Sequence, residues 1–292
     1  MVNGFLIIDK PVGLSSHDVV NRVRRILGTK KVGHTGTLDP FATGVLPVAV
    51  GEGTKAIQFL DEGQKEYLAT IRLGVTTDTL DVTGTVLHEC DATSIAQLSL
   101  LQSMSVLTGE ISQLPPMYSA VKQGGQPLYK LARKGLEVER QPRRVLIHQF
   151  ELLLFEPPVA EVRVLCSRGT YVRSLADDLG RLLGCGACLT TLRRSQSGPF
   201  RLDTACSLEQ LADAVEQGRL AECLVTVEQA LMHLQLCEVS IQELQPLRNG
   251  VLPRLSLVGT QPGLIQLRHE RQLLAVAEMT ADGQIELKRV FN

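Results

Sequence analysis

The chain has 292 residues, enough for one large domain or a large and a small one, and 44% hydrophobic with 21% charged residues is the composition of a globular protein with a real core. A formal net charge of −1 excludes a polycation that binds nucleic acid by bulk charge, and no apolar run approaches membrane-spanning length. Seven cysteines in no regular framework, with no secretory leader, predict reduced thiols and a cytoplasmic location.

Phe5 to Ile8 reads as a short strand. Ser16 is the expected N-cap of a helix whose apolar stripe is Val19, Val20, Val23, Ile26 and Leu27, ended by Gly28. Val45–Val50 reads as a buried strand, and Tyr67–Leu73 alternates like a half-buried one. Ile95–Leu107 is predicted helical, and Leu128–Lys134 is a short helix stopped by Gly135. Val145–Phe155 and Val159–Cys166 form a predicted hairpin across Pro157-Pro158, and Ser174–Leu183 a helix stopped by Gly184. Ser207 with Gln210, and Thr226 with Gln229, each fit a capping box that opens a helix. From about Glu238 short apolar runs alternate with breaks at Asn249-Gly250, Pro253, Gly259, Pro262-Gly263 and Asp282-Gly283, the texture of a small β-rich domain. Strands and helices mix without regular βαβ alternation, which predicts α+β with a mainly antiparallel or mixed sheet. The expected division is 1–235 and 236–292.

Charge is unevenly spread. Residues 116–150 carry seven Lys/Arg against Glu137 and Glu139, whereas 203–228 carry six acids against Arg219. A basic face offset by an acidic one can track phosphates without a basic net charge; a solvated charged face reads equally well from composition. Gly51-Glu52-Gly53-Thr54-Lys55-Ala56 fits G-x-G-x-x-A but leaves no room for the full helix a dinucleotide fold needs. Cys185-Gly186-Ala187-Cys188 lacks a second ligand pair for zinc and reads as the end of a helix.

The most informative run is Lys31 to Pro47, where Asp39 is the one acid among glycines, threonines, prolines and His34. Gly33, Gly36 and Gly44 allow backbone shapes closed to other residues, and Pro40 pushes Asp39 toward an extended conformation. From the residues alone, Asp39 reads either as the opening of an Asp-Pro turn or as a catalytic acid on a shaped loop.

Gly36-Thr37-Leu38-Asp39-Pro40 resembles the catalytic motif of the TruB family of tRNA pseudouridine synthases. Four further ordered stretches are similar to the same family: Lys10-Pro11-Val12-Gly13-Leu14-Ser15-Ser16; Lys65-Glu66-Tyr67 with Arg72-Leu73-Gly74 and Thr77-Asp78-Thr79-Leu80-Asp81; Gln113-Leu114-Pro115-Pro116-Met117-Tyr118-Ser119-Ala120-Val121-Lys122; and Cys166-Ser167-Arg168-Gly169-Thr170-Tyr171-Val172-Arg173-Ser174-Leu175, followed by Leu192-Arg193-Arg194. Cys188 departs from the pattern, which usually has His there. Ala277-Glu278, Asp282-Gly283 and Lys288 to Phe291 resemble a small RNA-binding PUA-like domain.

The resemblance implies a pseudouridine-synthase fold: a mixed, mainly antiparallel sheet flanked by helices, with the PUA-like unit C-terminal to it. It implies isomerisation of a T-loop uridine of tRNA, without cofactor or metal. The uridine is flipped out, its glycosidic bond is cut, the base turns, and C5 bonds to C1′. Asp39 is then the catalytic carboxylate, nucleophile or base, with Arg173 holding it ionised and Tyr67 holding the base. His34 is expected to fill the space the uridine leaves. Lys10 and the basic segment with Lys122, Arg133 and Arg144 are expected phosphate contacts, and Pro11, Tyr171 and Leu192 further substrate contacts. The expected partner is the tRNA T stem-loop, and the expected state a monomer. The alternatives are a guide-RNA-dependent, dyskerin-like synthase, for which the chain lacks a basic tail, and a non-catalytic tRNA-binding or folding protein.

Overall fold

The computed structural model describes residues 2–61, 63–252, 261–270 and 272–291. Its centre is a ten-stranded sheet. Eight strands lie in a row: β1 (Gly4–Lys10), β3 (Thr43–Val50), β4 (Gln64–Leu73), β5 (Gly109–Gln113), β6 (Arg143–Glu156), β7 (Val159–Ser167), β8 (Ala187–Ser197) and β9 (Leu224–Val225), in the order β9-β1-β3-β8-β4-β7-β6-β5. β2 (Val32–His34) adds to β3, and the short strand Phe200–Arg201 to β8. Every pairing is antiparallel except β3 with β8, where Thr43 and Gly44 lie beside Arg193 and Arg194.

Period-two alternation sorts side chains between two cores. In β1, Leu6 and Ile8 face a core shared with α1 (Ser16–Leu27), α2 (Gln97–Val106), α3 (Val172–Leu182) and α4 (Leu208–Glu216). Phe5 and Ile7 face the other side and pack with Phe200, Val227, Leu231, Leu273, Val276 and Phe291. β4 alternates as its sequence predicts: Lys65, Tyr67, Ala69, Ile71 and Leu73 are buried on the helix side.

The four-stranded second sheet runs β10 (Gln235–Glu238), β11 (Gly263–His269), β12 (Gln272–Met279) and β13 (Ile285–Val290). It begins at Gln235, so the expected division after 235 falls one residue inside its first strand. Through Leu273, Val276 and Phe291 this unit shares a core with β1 and β3. Of the expected breaks, Gly250 and Gly283 sit at turns with positive φ, while Pro253 and Gly259 lie outside the described residues.

Both expected capping boxes, at Ser207 and Thr226, are present. α1 differs by one residue: its N-cap is Ser15, in a box with Asp18, and Ser16 turns inward instead. The G-x-G-x-x-A stretch forms only the one-turn helix Gly53–Ala56, and a side chain at Gly53 would meet the Gly4 carbonyl at 2.2 Å, so that glycine serves packing. Cys185 lies beyond the end of α3 and Cys188 near the start of β8; both are buried free thiols.

Candidate active site

Asp39 sits on the loop between β2 and β3, and that loop is fixed by every second carbonyl. The Gly36 carbonyl accepts from Arg194 Nη2 at 3.3 Å. The Leu38 carbonyl accepts from Ser16 Oγ at 3.2 Å, and the same hydroxyl accepts from the Leu38 N–H at 2.8 Å. The Pro40 carbonyl accepts from Gly13 N at 2.8 Å and from Lys10 Nζ at 3.3 Å. The Ala42 N–H donates to the Asp39 carbonyl at 3.1 Å, so Asp39 does open an Asp-Pro turn; the turn is what aims its side chain. Of the three loop glycines only Gly44 has a positive φ, +100°, where a side chain would strike the Arg194 carbonyl at 2.2 Å. A Cβ at Gly36 would lie 2.9 Å from Lys65 Nζ, the flexible end of a side chain that can shift to admit it.

The Asp39 carboxylate pairs with the guanidinium of Arg173: Nη2 donates to Oδ1 at 3.0 Å, and Nε lies 2.9 Å from Oδ2 as an ion-pair contact. Arg173 is only 4% exposed despite its place in the first turn of α3, where a cation opposes the helix dipole. Two carboxylates and two carbonyls offset that cost. Nη1 donates to the Thr79 carbonyl at 2.9 Å and lies 3.5 Å from Asp81 Oδ2, and Nη2 also donates to the Tyr118 carbonyl at 2.8 Å. Asp81 is itself buried and accepts from Thr79 Oγ1 and the Thr83 N–H. Burial raises the Asp39 pKa above the ordinary carboxylate value; Arg173 opposes the shift and Asp81 adds to it.

Asp39 and Arg173 line a cavity of about 230 Å³ with Tyr67, Tyr171, Leu192, Lys65 and Arg194. Tyr67 comes from β4 and Leu192 and Arg194 from β8, with Arg194 directly opposite Tyr67 in the strand register. Burial raises the Tyr67 hydroxyl above its ordinary pKa, while Arg194 pulls it back. Tyr171, the N-cap of α3, is held by the buried amide of Gln113, which accepts from its N–H at 2.7 Å and donates to its carbonyl at 3.0 Å. His34 ends β2 with a buried Nδ1 that has no hydrogen-bond partner among the described residues; burial first, then Arg194 and His17, hold its pKa below the ordinary imidazole value.

Lys10 departs from expectation. It has no exposed surface, and Nζ donates to the carbonyls of Pro11 at 2.9 Å, Leu14 at 2.6 Å and Pro40 at 3.3 Å. An ammonium has three protons, and all are spent on this backbone, so Lys10 braces the Asp39 loop and offers none to a phosphate. Burial lowers its pKa to about 8. Pro11 is exposed beside it. Lys122, Arg133 and Arg144 are exposed on a segment that leaves the cavity wall at Ser119 and Ala120, and Arg133 lies over the Tyr129 ring at 5.6 Å. Arg144 is 4.0 Å from Glu110.

Lys65, Asp81, Gln113, Ser16 and Arg194 hold the site together and were not expected as site residues. All lie inside the quoted motifs, so motif membership combined with a polar side chain was the available signal. Among the described residues no cluster of His, Cys, Asp and Glu could hold a metal, and no helix is long and apolar enough to cross a membrane.

A carboxylate clamped by a buried guanidinium beside a tyrosine, at the foot of a sheet-walled cavity, is an enzyme's site. Residues 24–172 match the family model for the TruB family pseudouridylate synthase N-terminal domain, and residues 173–232 the tRNA pseudouridylate synthase B C-terminal domain. The chain therefore belongs to the TruB family of pseudouridine synthases. It is 49% identical to the tRNA pseudouridine synthase B of Geobacter sulfurreducens over 100% of both chains. It is 44% identical to that of Dehalococcoides mccartyi, covering 99% of this chain and 97% of the relative. Among solved structures it resembles a chain of a Cbf5-Nop10-Gar1 complex with a TM-score of 0.74 at 28% identity, covering 98% of this chain and 84% of that one.

Proposed function

We propose that the protein isomerises the T-loop uridine of tRNA, uridine 55, to pseudouridine, acting alone in the cytoplasm as a monomer. The observation that carries this reading is the Asp39–Arg173 ion pair at the base of a cavity walled by Tyr67 and Leu192. The names of the full-length relatives agree with it.

The uridine leaves its stack, at a cost on the order of a few kcal/mol that contacts to the loop offset, and enters the cavity. Tyr67 and Leu192 pack against the pyrimidine faces. Asp39, held ionised by Arg173, acts at the ribose as nucleophile or base while the N1–C1′ bond breaks. The base turns within the cavity and C5 bonds to C1′; the C5 proton leaves and N1 gains one, so the product is an isomer. His34, neutral at pH 7, fills the place the base has left. The exposed cations Lys122, Arg133 and Arg144 meet backbone phosphates. The small C-terminal sheet serves as an RNA-binding PUA-like unit.

The test is tritium release from a tRNA transcript labelled at uridine C5, with purified protein and nothing added. Release of one equivalent per tRNA, lost when the T-loop uridine is replaced, is the expected result. Tight binding without release overturns the reading in favour of a guide-dependent synthase or a binding protein.

A further inference from the structure

Among the described residues Arg194 is the largest side chain with no exposed surface. Its backbone lies directly across from Tyr67, and both side chains line the cavity. Nε donates to the Val45 carbonyl at 2.7 Å and Nη2 to the Gly36 carbonyl at 3.3 Å, so one guanidinium joins β3, the catalytic loop and the tyrosine strand. Its charge is balanced differently from its neighbours'. Arg173 has Asp39 and Asp81, and Arg193 has Asp9 at 2.7 Å; among the described residues no carboxylate pairs with Arg194. A buried cation without a counter-ion is costly, and the cost falls when negative charge develops beside it.

On the reading that this site isomerises uridine, we propose that Arg194 is a positioning residue acting through Tyr67: it fixes the phenol oxygen and carries the negative charge the phenol acquires while the C5 proton is moved. The two side chains stand on facing strands in one cavity, and because a guanidinium only donates, the Tyr67 oxygen is the acceptor in that pairing and the phenol proton turns away from Arg194. The step balances without a co-reactant. When the N1–C1′ bond breaks, its electron pair stays on N1, and the Tyr67 hydroxyl gives its proton there. After C5 bonds to C1′, the C5–H bond breaks, its electron pair returns to the pyrimidine ring, and its proton goes to the phenolate. Tyr67 ends neutral, as it began. Arg194 stabilises only the interval between, which is where an uncompensated buried cation is worth most.

The test measures single-turnover conversion of tRNA carrying hydrogen or deuterium at uridine C5. Arg194→Met is expected to slow conversion on the order of 100-fold with tRNA affinity unchanged, and to change the C5 isotope effect from the parent's. Arg194→Lys recovers part of the rate. Added to Tyr67→Phe, Arg194→Met costs no further rate. Losses that multiply in the double variant, or an isotope effect unchanged by Arg194→Met, overturn the proposal. Because Arg194→Met also strips two carbonyls of their donor and can unfold the chain, a second variant leaves Arg194 in place. With 3-fluorotyrosine at position 67, a more acidic phenol, the pH profile of conversion is expected to move to lower pH; an unmoved profile overturns the proposal. The parent enzyme separates the claims. An inactive parent overturns the uridine-isomerising reading and this proposal with it, whereas an active parent with multiplying losses overturns the role of Arg194 alone.

Discussion

Two groups of basic side chains flank the cavity, and they differ in where their donors point. Lys10, Arg173 and Arg194 are buried, and each donates to backbone carbonyls inside the protein. Lys122, Arg133 and Arg144 are exposed, Arg133 over the Tyr129 ring and Arg144 with a distant carboxylate. A buried cation in a low dielectric fixes geometry and proton affinity; an exposed one, screened by salt, is free to exchange water and counter-ions for a phosphate. The contrast makes separable predictions: changes in the first group are expected to act on chemistry and folding, and changes in the second on RNA affinity alone.

The largest effect is expected at the acid the buried group serves. Asp39→Asn lowers tritium release on the order of 10⁴-fold while tRNA still binds, measured by release and filter binding on one preparation. Release at the parent rate would remove Asp39 from the mechanism. Next is Arg173→Met. Without the guanidinium the already raised Asp39 pKa rises further, so the acid limb of the single-turnover pH profile moves to higher pH, with a rate loss of about 100-fold at neutral pH. An acid limb that stays put would mean that the limb does not report Asp39.

Lys10 gives a smaller effect, read through stability. Its folded pKa of about 8 lies below the unstructured value of 10.5, so between those pH values the unfolded chain binds more protons. Stability should therefore rise with pH through this window, by at most about 3 kcal/mol, and the rise should vanish in Lys10→Met, followed by urea unfolding. Ser16→Ala removes both bonds to Leu38 and should cost about 1–2 kcal/mol in the same assay. Smallest for the chemistry, Lys122→Ala, Arg133→Ala and Arg144→Ala should leave single-turnover rates unchanged at saturating tRNA. Each should reduce the salt slope of binding by about 1. A changed maximal rate would place the exposed group in the catalytic machinery and dissolve the contrast.

The contrast was not legible in the chain itself, because Lys10 and Lys122 are the same letter. Local signals read well: the Ser207 and Thr226 capping boxes and the β4 alternation depend on residues a few positions apart, and the structure has them. The helix Ile241–Arg248 went unread because Pro246 lies inside it, against ordinary helix preference. In the site, resemblance pointed to Asp39, Tyr67 and Arg173, and the structure brings them to one cavity. Ser16 was read as a cap because its bond to Leu38, 22 residues away, leaves no local trace. Arg194 was passed over within a quoted motif because its partners, Gly36 and Val45, lie about 150 residues upstream.

That distance sets a schedule for the growing chain. The loop with Asp39 and the strand with Tyr67 leave the ribosome early, but Arg173 and Arg194 follow only after more than half the protein has been made. Until α3 docks, the carboxylate has no cation, and until β8 slips between β3 and β4 the sheet stays open at its centre. Pairings this far apart in sequence are slow to form, so assembly waits on the last strand to be inserted. A partly synthesised chain thereby lacks both cations of the site, one arriving with the docking of α3 and the other with the strand that closes the sheet.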